Sequence, residues 1–160
     1  MFVYIPATVR RLQADQLTGE VAYAVTDDLR AAFPEDHDEE LEAIALDCAA
    51  LHSVKLLEEG ADVRVVVAAD VPPAALAEVE GRTDLYAGAL LLTEPVDFKR
   101  VDSFYADDVD DVAARAAVAA ARALLVAAPG GEADEEADGL LAEHVLSWYD
   151  STERARLAQG

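Results

Sequence analysis

The chain is short of almost everything that usually announces a function. It has one cysteine, Cys48, which excludes an internal disulfide and a cysteine-built zinc site. It has no Walker loop, no G-x-G-x-x-G, no C-x-x-C, no H-E-x-x-H and no G-x-S-x-G, so no standard nucleotide, redox, zinc-protease or serine-hydrolase signature marks it. Lysine is nearly absent: Lys55 and Lys99 are the only two, and the other ten basic residues are arginines. Against those twelve cations stand 33 carboxylates, a formal charge of −21. Such a surface repels phosphate backbones and anionic lipids, which argues against nucleic acid or a membrane as partner. Long hydrophobic runs are missing too. Residues 112–128 are rich in Ala, Leu and Val, but Arg115 and Arg122 interrupt them and they are too few to span a bilayer. Met1 leads straight into an apolar strand with no leader pattern, so a cytoplasmic location is expected.

What is present is an apolar fraction of 53% over 160 residues, enough to bury roughly 70% of the unfolded surface in one core without staples. The chain is organised around residues 38–70. Leu41, Ile44, Ala45, Cys48, Leu51 and Val54 recur at the spacing of one helical face. Leu46, Ala49, Ala50, Leu56 and Leu57 cover much of the remaining girth. A helix apolar over more than half its circumference is buried on more than one side. Asp38 is expected to cap it, and Gly60 to take the left-handed position beyond it. Val63 to Ala69 is then a near-continuous β-branched and small run, the pattern of a central strand covered on both faces.

Other elements follow in order. Phe2 to Ile5 reads as a strand ended by Pro6, with Thr8 capping a helix to about Asp15. Val21 to Val25 reads as a strand, and Thr26 as the cap of a short helix stopped by Pro34. A helix is expected over AALAEVE, after Pro72-Pro73. Strands are expected at Leu85–Thr93 and, with a bulge, at Val96–Ala106, then an Ala-rich helix capped by Asp107 or Asp108 and reaching Ala128. This alternation predicts an α/β (α+β) sandwich with a mixed sheet of about five strands. The core domain is expected over 1–128, an acidic linker over 129–138, and over 139–160 an amphipathic helix with Leu141, Val145 and Trp148 as its stripe. That tail would pack on its own core or on a second subunit.

The ordered set VYIPAT (3–8), AYAVTDDLR (22–30), DEELEAIAL (38–46), VVVAADVP (65–72), ADD (106–108) and HVLSWYDSTE (144–153) resembles a family of uncharacterised actinobacterial proteins, a domain of unknown function. The resemblance runs over almost the whole chain and implies no activity, substrate or catalytic residue. It implies a GC-rich genome as the source of the alanine and arginine bias.

Candidate chemistry comes from topology. Ligands in open α/β sheets bind beyond the carboxyl ends of strands. Those ends carry Thr8, Asp70, Asp107 and Asp108. If the strands are parallel neighbours, Asp70, Asp107 and Asp108 converge and could hold Mg²⁺. Each also begins a predicted helix, where it can serve as a cap. Cys48 and His52, four apart on one helix, could form a thiolate–imidazole pair, or could simply be core residues. His144 and Trp148 are also four apart and read as a packing pair. The leading functional expectation is a non-catalytic binding or protein-interaction domain, homo-oligomeric, with no cofactor. The alternatives are an Mg²⁺-dependent enzyme acting on a phosphate-containing small molecule, and an acidic decoy for a basic partner.

Overall fold

A computed structural model describes residues 1–128 and 130–159. Nine strands are present: β1 Phe2–Ala7, β2 Gln16–Leu17, β3 Val21–Tyr23, β4 Val65–Asp70, β5 Leu76–Glu78, β6 Ala89–Leu92, β7 Val96–Asp97, β8 Val101–Ala106 and β9 Ser147–Asp150. The helices are α1 Asp27–Ala32, α2 Asp38–Leu56, α3 Val112–Ala127, α4 Glu132–Leu141 and α5 Arg154–Leu157. Seven strands form one sheet in the order β5-β6-β3-β1-β4-β8-β9, and β2 pairs with β7 in a separate ribbon. The expected class, a sheet packed with helices, is what the chain adopts. The sheet has seven strands where about five were expected, and its pairings among the described residues are all antiparallel.

The side chains of β1 and β4 alternate between two cores, as the pleat requires. Val3, Ile5, Val65 and Val67 face Leu12, Leu17 and Val96, under the β2–β7 ribbon and α5. Tyr4, Val66 and Ala68 face α1 and α2 through Leu29, Leu41, Ala45 and Ala49. The opposite side of α2 carries Leu51, Val54 and Leu57 into a third cluster with Val118, Ala121 and Leu125 of α3 and Ala137 and Leu141 of α4. The two-sided apolar girth of α2 therefore has the physical cause inferred from it: the helix is a middle layer.

One end of the β1–β4 ladder is closed by side chains. Ser53, fully buried on α2, donates its hydroxyl to Ala7 O at 2.7 Å and accepts from Val65 N at 3.1 Å. Ala7 and Val65 are partners in the ladder, so the serine satisfies backbone groups where pairing ends. On the other side of β4, Arg64 and Asp107 are 4% and 3% exposed. The Asp107 carboxylate accepts from Arg64 N at 2.8 Å, Nε at 3.0 Å and Nη2 at 2.7 Å. Arg64 Nη2 also donates to His144 O at 2.5 Å, tying the turn after α4 to the sheet.

Several expectations are corrected. Pro6 lies inside β1, opposite Val66. β3 meets β1 only at Tyr4, so at Pro6 the strand has a partner on one side alone and the missing N–H is tolerated. Thr8 starts only a 3-10 turn, Arg10–Gln13, with its hydroxyl accepting from Arg11 N at 3.3 Å. The cap of α2 is His37; Asp38 sits in the first turn and pairs with Arg30 at 2.8 Å. α2 stops at Leu56, and Gly60, at φ +86°, serves the turn after it. The expected helix after Pro73 is a single 3-10 turn followed by β5, because Leu76 to Glu78 pair with β6 at the sheet edge. The bulge falls at Asp102, which the register skips between Ser103 and Val101.

The acidic stretch expected to be a linker is α4 within its described residues, Pro129 lying outside them. Its carboxylates Glu132, Asp134 and Glu135 occupy the first turn, where they suit the positive end of the dipole, and Ala137 and Leu141 are buried one turn apart. The expected tail helix is strand β9, which continues the sheet beyond β8, and the short α5. His144 lies in a turn and Trp148 on the strand, so they are not a helical pair.

Removing one partner of the Arg64–Asp107 pair leaves a buried charge uncompensated. Arg64→Met or Asp107→Leu alone should each cost about 3–5 kcal/mol in urea unfolding, and the double variant should recover most of that loss. Additive losses would show that the two residues do not act as a pair.

Candidate functional site

The three aspartates proposed as metal ligands do not converge. β8 runs antiparallel to β4, so the carboxyl ends of the two strands lie at opposite edges, separated by the length of β4, about 17 Å. Asp70 is exposed and accepts from the Met1 amino group at 3.0 Å. Asp107 is consumed by Arg64. Asp108 is exposed and accepts from Asp110 N at 2.9 Å in the turn before α3, whose cap is Asp111 rather than Asp107 or Asp108. Among the described residues, no three His, Cys, Asp or Glu side chains are grouped to hold a metal ion.

Cys48 and His52 do share one side of α2, but not as a reactive pair. Burial pushes the Cys48 thiol up to about 12, and the carboxylates of Asp47 and Asp138 push it the same way. Burial, helped by Lys55, pulls His52 down to about 4. His52 Nδ1 lies 2.8 Å from the hydroxyl of fully buried Tyr23. A neutral imidazole accepts there, so Tyr23 donates and the ring proton sits on Nε2. A protonated thiol and a neutral, hydrogen-bonded imidazole are core residues in their chemistry. Close by, Lys55 Nζ stands 4.5 Å above the Tyr86 ring and 3.4 Å from Asp134.

The surface feature with chemical character lies elsewhere. A cleft of about 790 Å³ opens between the turn after β1, the C-terminal end of α2 with its following loop, and the start of α3. Arg10, Arg11 and Arg115 line it, opposed by Glu58 and Asp62. Among the described residues its lining has three arginines to two carboxylates, whereas carboxylates outnumber arginines in four other clefts. Thr8, Gln13 and Thr18 add neutral hydrogen-bonding groups. Thr8, a candidate from its place at the end of β1, is thus the one predicted site residue that reaches this cleft.

Two of the arginines are already engaged. Arg10 pairs with Glu58. Arg115 donates to Asp62 at 3.0 Å and to Val109 O at 3.2 Å. Arg11 is half-buried, and among the described residues its guanidinium has no hydrogen-bond or ion-pair partner. A guanidinium carries five N–H donors in a planar fork whose geometry matches a carboxylate or another oxyanion. The turn that presents it is held from both sides. Leu12 is buried beneath it. Arg154 lays its guanidinium 3.4 Å over the Phe98 ring, donates to Leu12 O at 2.9 Å and reaches Ala14 O. Gln13 Nε2 donates to Ala158 O at 2.8 Å. Arg122 Nε donates to Leu57 O at 3.0 Å and so occupies a carbonyl at the negative end of α2. The arginines of the cleft were missed from sequence. The Arg10-Arg11 doublet in a chain of charge −21 was the available signal.

The model of a family of unknown function, DUF6912, matches residues 1–158, and the chain belongs to that family. No curated protein and no solved structure matches the chain.

His52 gives a pH signature. An unfolded imidazole takes a proton near 6.5, while the folded one stays neutral down to about 4. Between those values the unfolded chain binds the extra proton, so the contribution of neutral His52 is complete above pH 6.5 and falls as pH drops toward 4. The His52 ring should remain neutral by NMR at pH 5. The stability difference between wild type and His52→Gln should shrink over that window, by about 1–3 kcal/mol. A ring that titrates between pH 6 and 7 would contradict this placement.

Proposed function

We propose that the protein is a non-catalytic binding protein whose arginine cleft takes a small anionic ligand. The observation that carries this reading is the half-buried, unpartnered guanidinium of Arg11 inside a cleft of ligand size, in a chain with 33 carboxylates. Cations are scarce in this chain, and three of its twelve line this one cleft against two carboxylates. Three of the residues singled out from the sequence for chemistry are engaged: Asp107 with Arg64, Asp70 with the amino terminus, His52 with Tyr23. The Mg²⁺-dependent alternative loses its ligand set because Asp70 lies a strand length from Asp107 and Asp108. The decoy alternative would need one carboxylate face, whereas carboxylates flank clefts on several sides of the molecule. An actinobacterial source fits the alanine and arginine bias, and a cytoplasmic location fits a single cysteine with no disulfide partner in the chain.

Self-association is a second reading, favoured by one observation. At the outer edge of the sheet, Val145 and Trp148 are 88% and 57% exposed beside the open side of β9. An open edge with an exposed aromatic is a place where a second copy can add to the sheet. Sedimentation of wild type should then show a dimer that Trp148→Lys returns to monomer; a monomeric wild type at high protein concentration removes this reading.

For the cleft, thermal unfolding should be followed against an anion panel at fixed ionic strength, since salt alone relieves repulsion in so acidic a chain. A ligand at a hundred times its Kd adds about 2.7 kcal/mol. That gain should disappear in Arg11→Ala and weaken in Arg115→Ala, while Arg30→Ala keeps it. Equal gains in all four proteins would refute the cleft as the site.

A further inference from the structure

We infer that the ligand of this cleft is a monocarboxylate carried on an apolar body of several carbons. The inference rests on the anion-binding reading above and adds the ligand's charge and shape. Its first support is charge balance. Arg10 is neutralised by Glu58 and Arg115 by Asp62, which leaves Arg11 as the one uncompensated charge in the cavity. A single guanidinium matches one carboxylate through two parallel N–H···O bonds. A phosphate dianion would bring a second negative charge with no cation to meet it, inside a molecule already at −21.

The second support is the floor. The cleft lies on the seam between two cores. Val9 and Val63 belong to the sheet-side cluster, and Leu57 to the cluster between α2 and α3. Leu56 and Ala61 add to the apolar part of the lining. At about 790 Å³ the cavity far exceeds an inorganic anion and matches an organic molecule of moderate size. A lining that joins a guanidinium to apolar side chains suits a ligand with its carboxylate at Arg11 and its hydrocarbon against Val63 and Leu57. Apolar burial then supplies the affinity that a lone ion pair at a surface lacks.

The test is a calorimetric titration of the full chain with 3-phenylpropanoate, acetate, inorganic phosphate and 3-phenylpropanol at constant ionic strength. Saturable binding of 3-phenylpropanoate, at least about tenfold tighter than acetate, phosphate or the alcohol and reduced by about tenfold or more in Arg11→Gln, is the expected result. Arg11→Lys, which keeps the charge but loses the fork, should retain part of the affinity, and Arg30→Gln all of it. Acetate or phosphate binding as tightly as 3-phenylpropanoate would overturn the inference and leave the anion-binding reading standing. The alcohol binding as tightly as the acid, or none of the four binding, would overturn both. Unchanged thermal unfolding of unliganded Arg11→Gln separates lost binding from lost structure.

Discussion

The fold hangs on an ion pair held almost entirely out of water. Arg64 and Asp107 stand where the ladder between β4 and β8 ends, and the carboxylate takes three N–H bonds from one residue while the guanidinium also holds the carbonyl of His144. A buried pair is a poor source of net stability, because desolvation offsets most of the attraction. Its effect is on which structure forms. A register slip of one residue between β4 and β8 would leave a bare charge in the core, and so would undocking of the turn that leads into β9. Ser53 plays the neutral counterpart on the other side of β4, closing the ladder to β1. Together they fix the end of the sheet from which α2, α3 and the cleft are hung.

Charge scarcity explains much of the remaining surface. Twelve cations must serve a chain with 33 carboxylates, and most of the arginines are assigned to structural tasks. Arg64 is buried, Arg122 holds a carbonyl at the end of α2, Arg154 clamps the turn after β1, and Arg82 bridges Glu20 and Asp84. Arg11 stands out because it is half-buried on a turn that Leu12, Arg154 and Gln13 hold in place, yet has no partner of its own. An idle guanidinium on a fixed turn is unusual in an acidic protein, and that is what gives the cleft its character.

The elements legible in the sequence were those with the clearest burial patterns. The two-sided apolar girth of residues 38–56 fitted either a layer between sheet and helices or a subunit contact, and α2 is such a layer; the Val63–Ala69 run reads as an inner strand and is β4, to within the ends. Where spacing admits two readings, tertiary pairing decided. Leu141, Val145 and Trp148 fit a helical stripe, but Tyr149 alternates inward against Phe104 while Trp148 points out, and the segment becomes β9. AALAEVE has helical composition, yet an open edge of β6 recruited Leu76 to Glu78. Acidic residues 132–138 resembled a solvated linker because only Ala137 within them, with Leu141 one turn on, is buried. The candidate metal ligands needed parallel strands; antiparallel pairing sends Asp70 to the far edge, and Asp107 is taken by Arg64. Arg11 and Arg115 are 104 positions apart, and nothing local in the sequence announces that they share a cavity.

The central claim is that a molecule of charge −21 keeps one cleft locally positive. It can be tested without any ligand by comparing how a cationic and an anionic nitroxide of equal size relax each backbone amide proton. Over most of the surface the cationic probe should dominate. At the amides of Arg10 to Gln13 and Ala61 to Val63 the account predicts the reverse, with the anionic probe giving the stronger relaxation. Dominance of the cationic probe there, as everywhere else, would mean that the carboxylates have already neutralised the cleft, and the assignment of Arg11 as an anion receptor would fall.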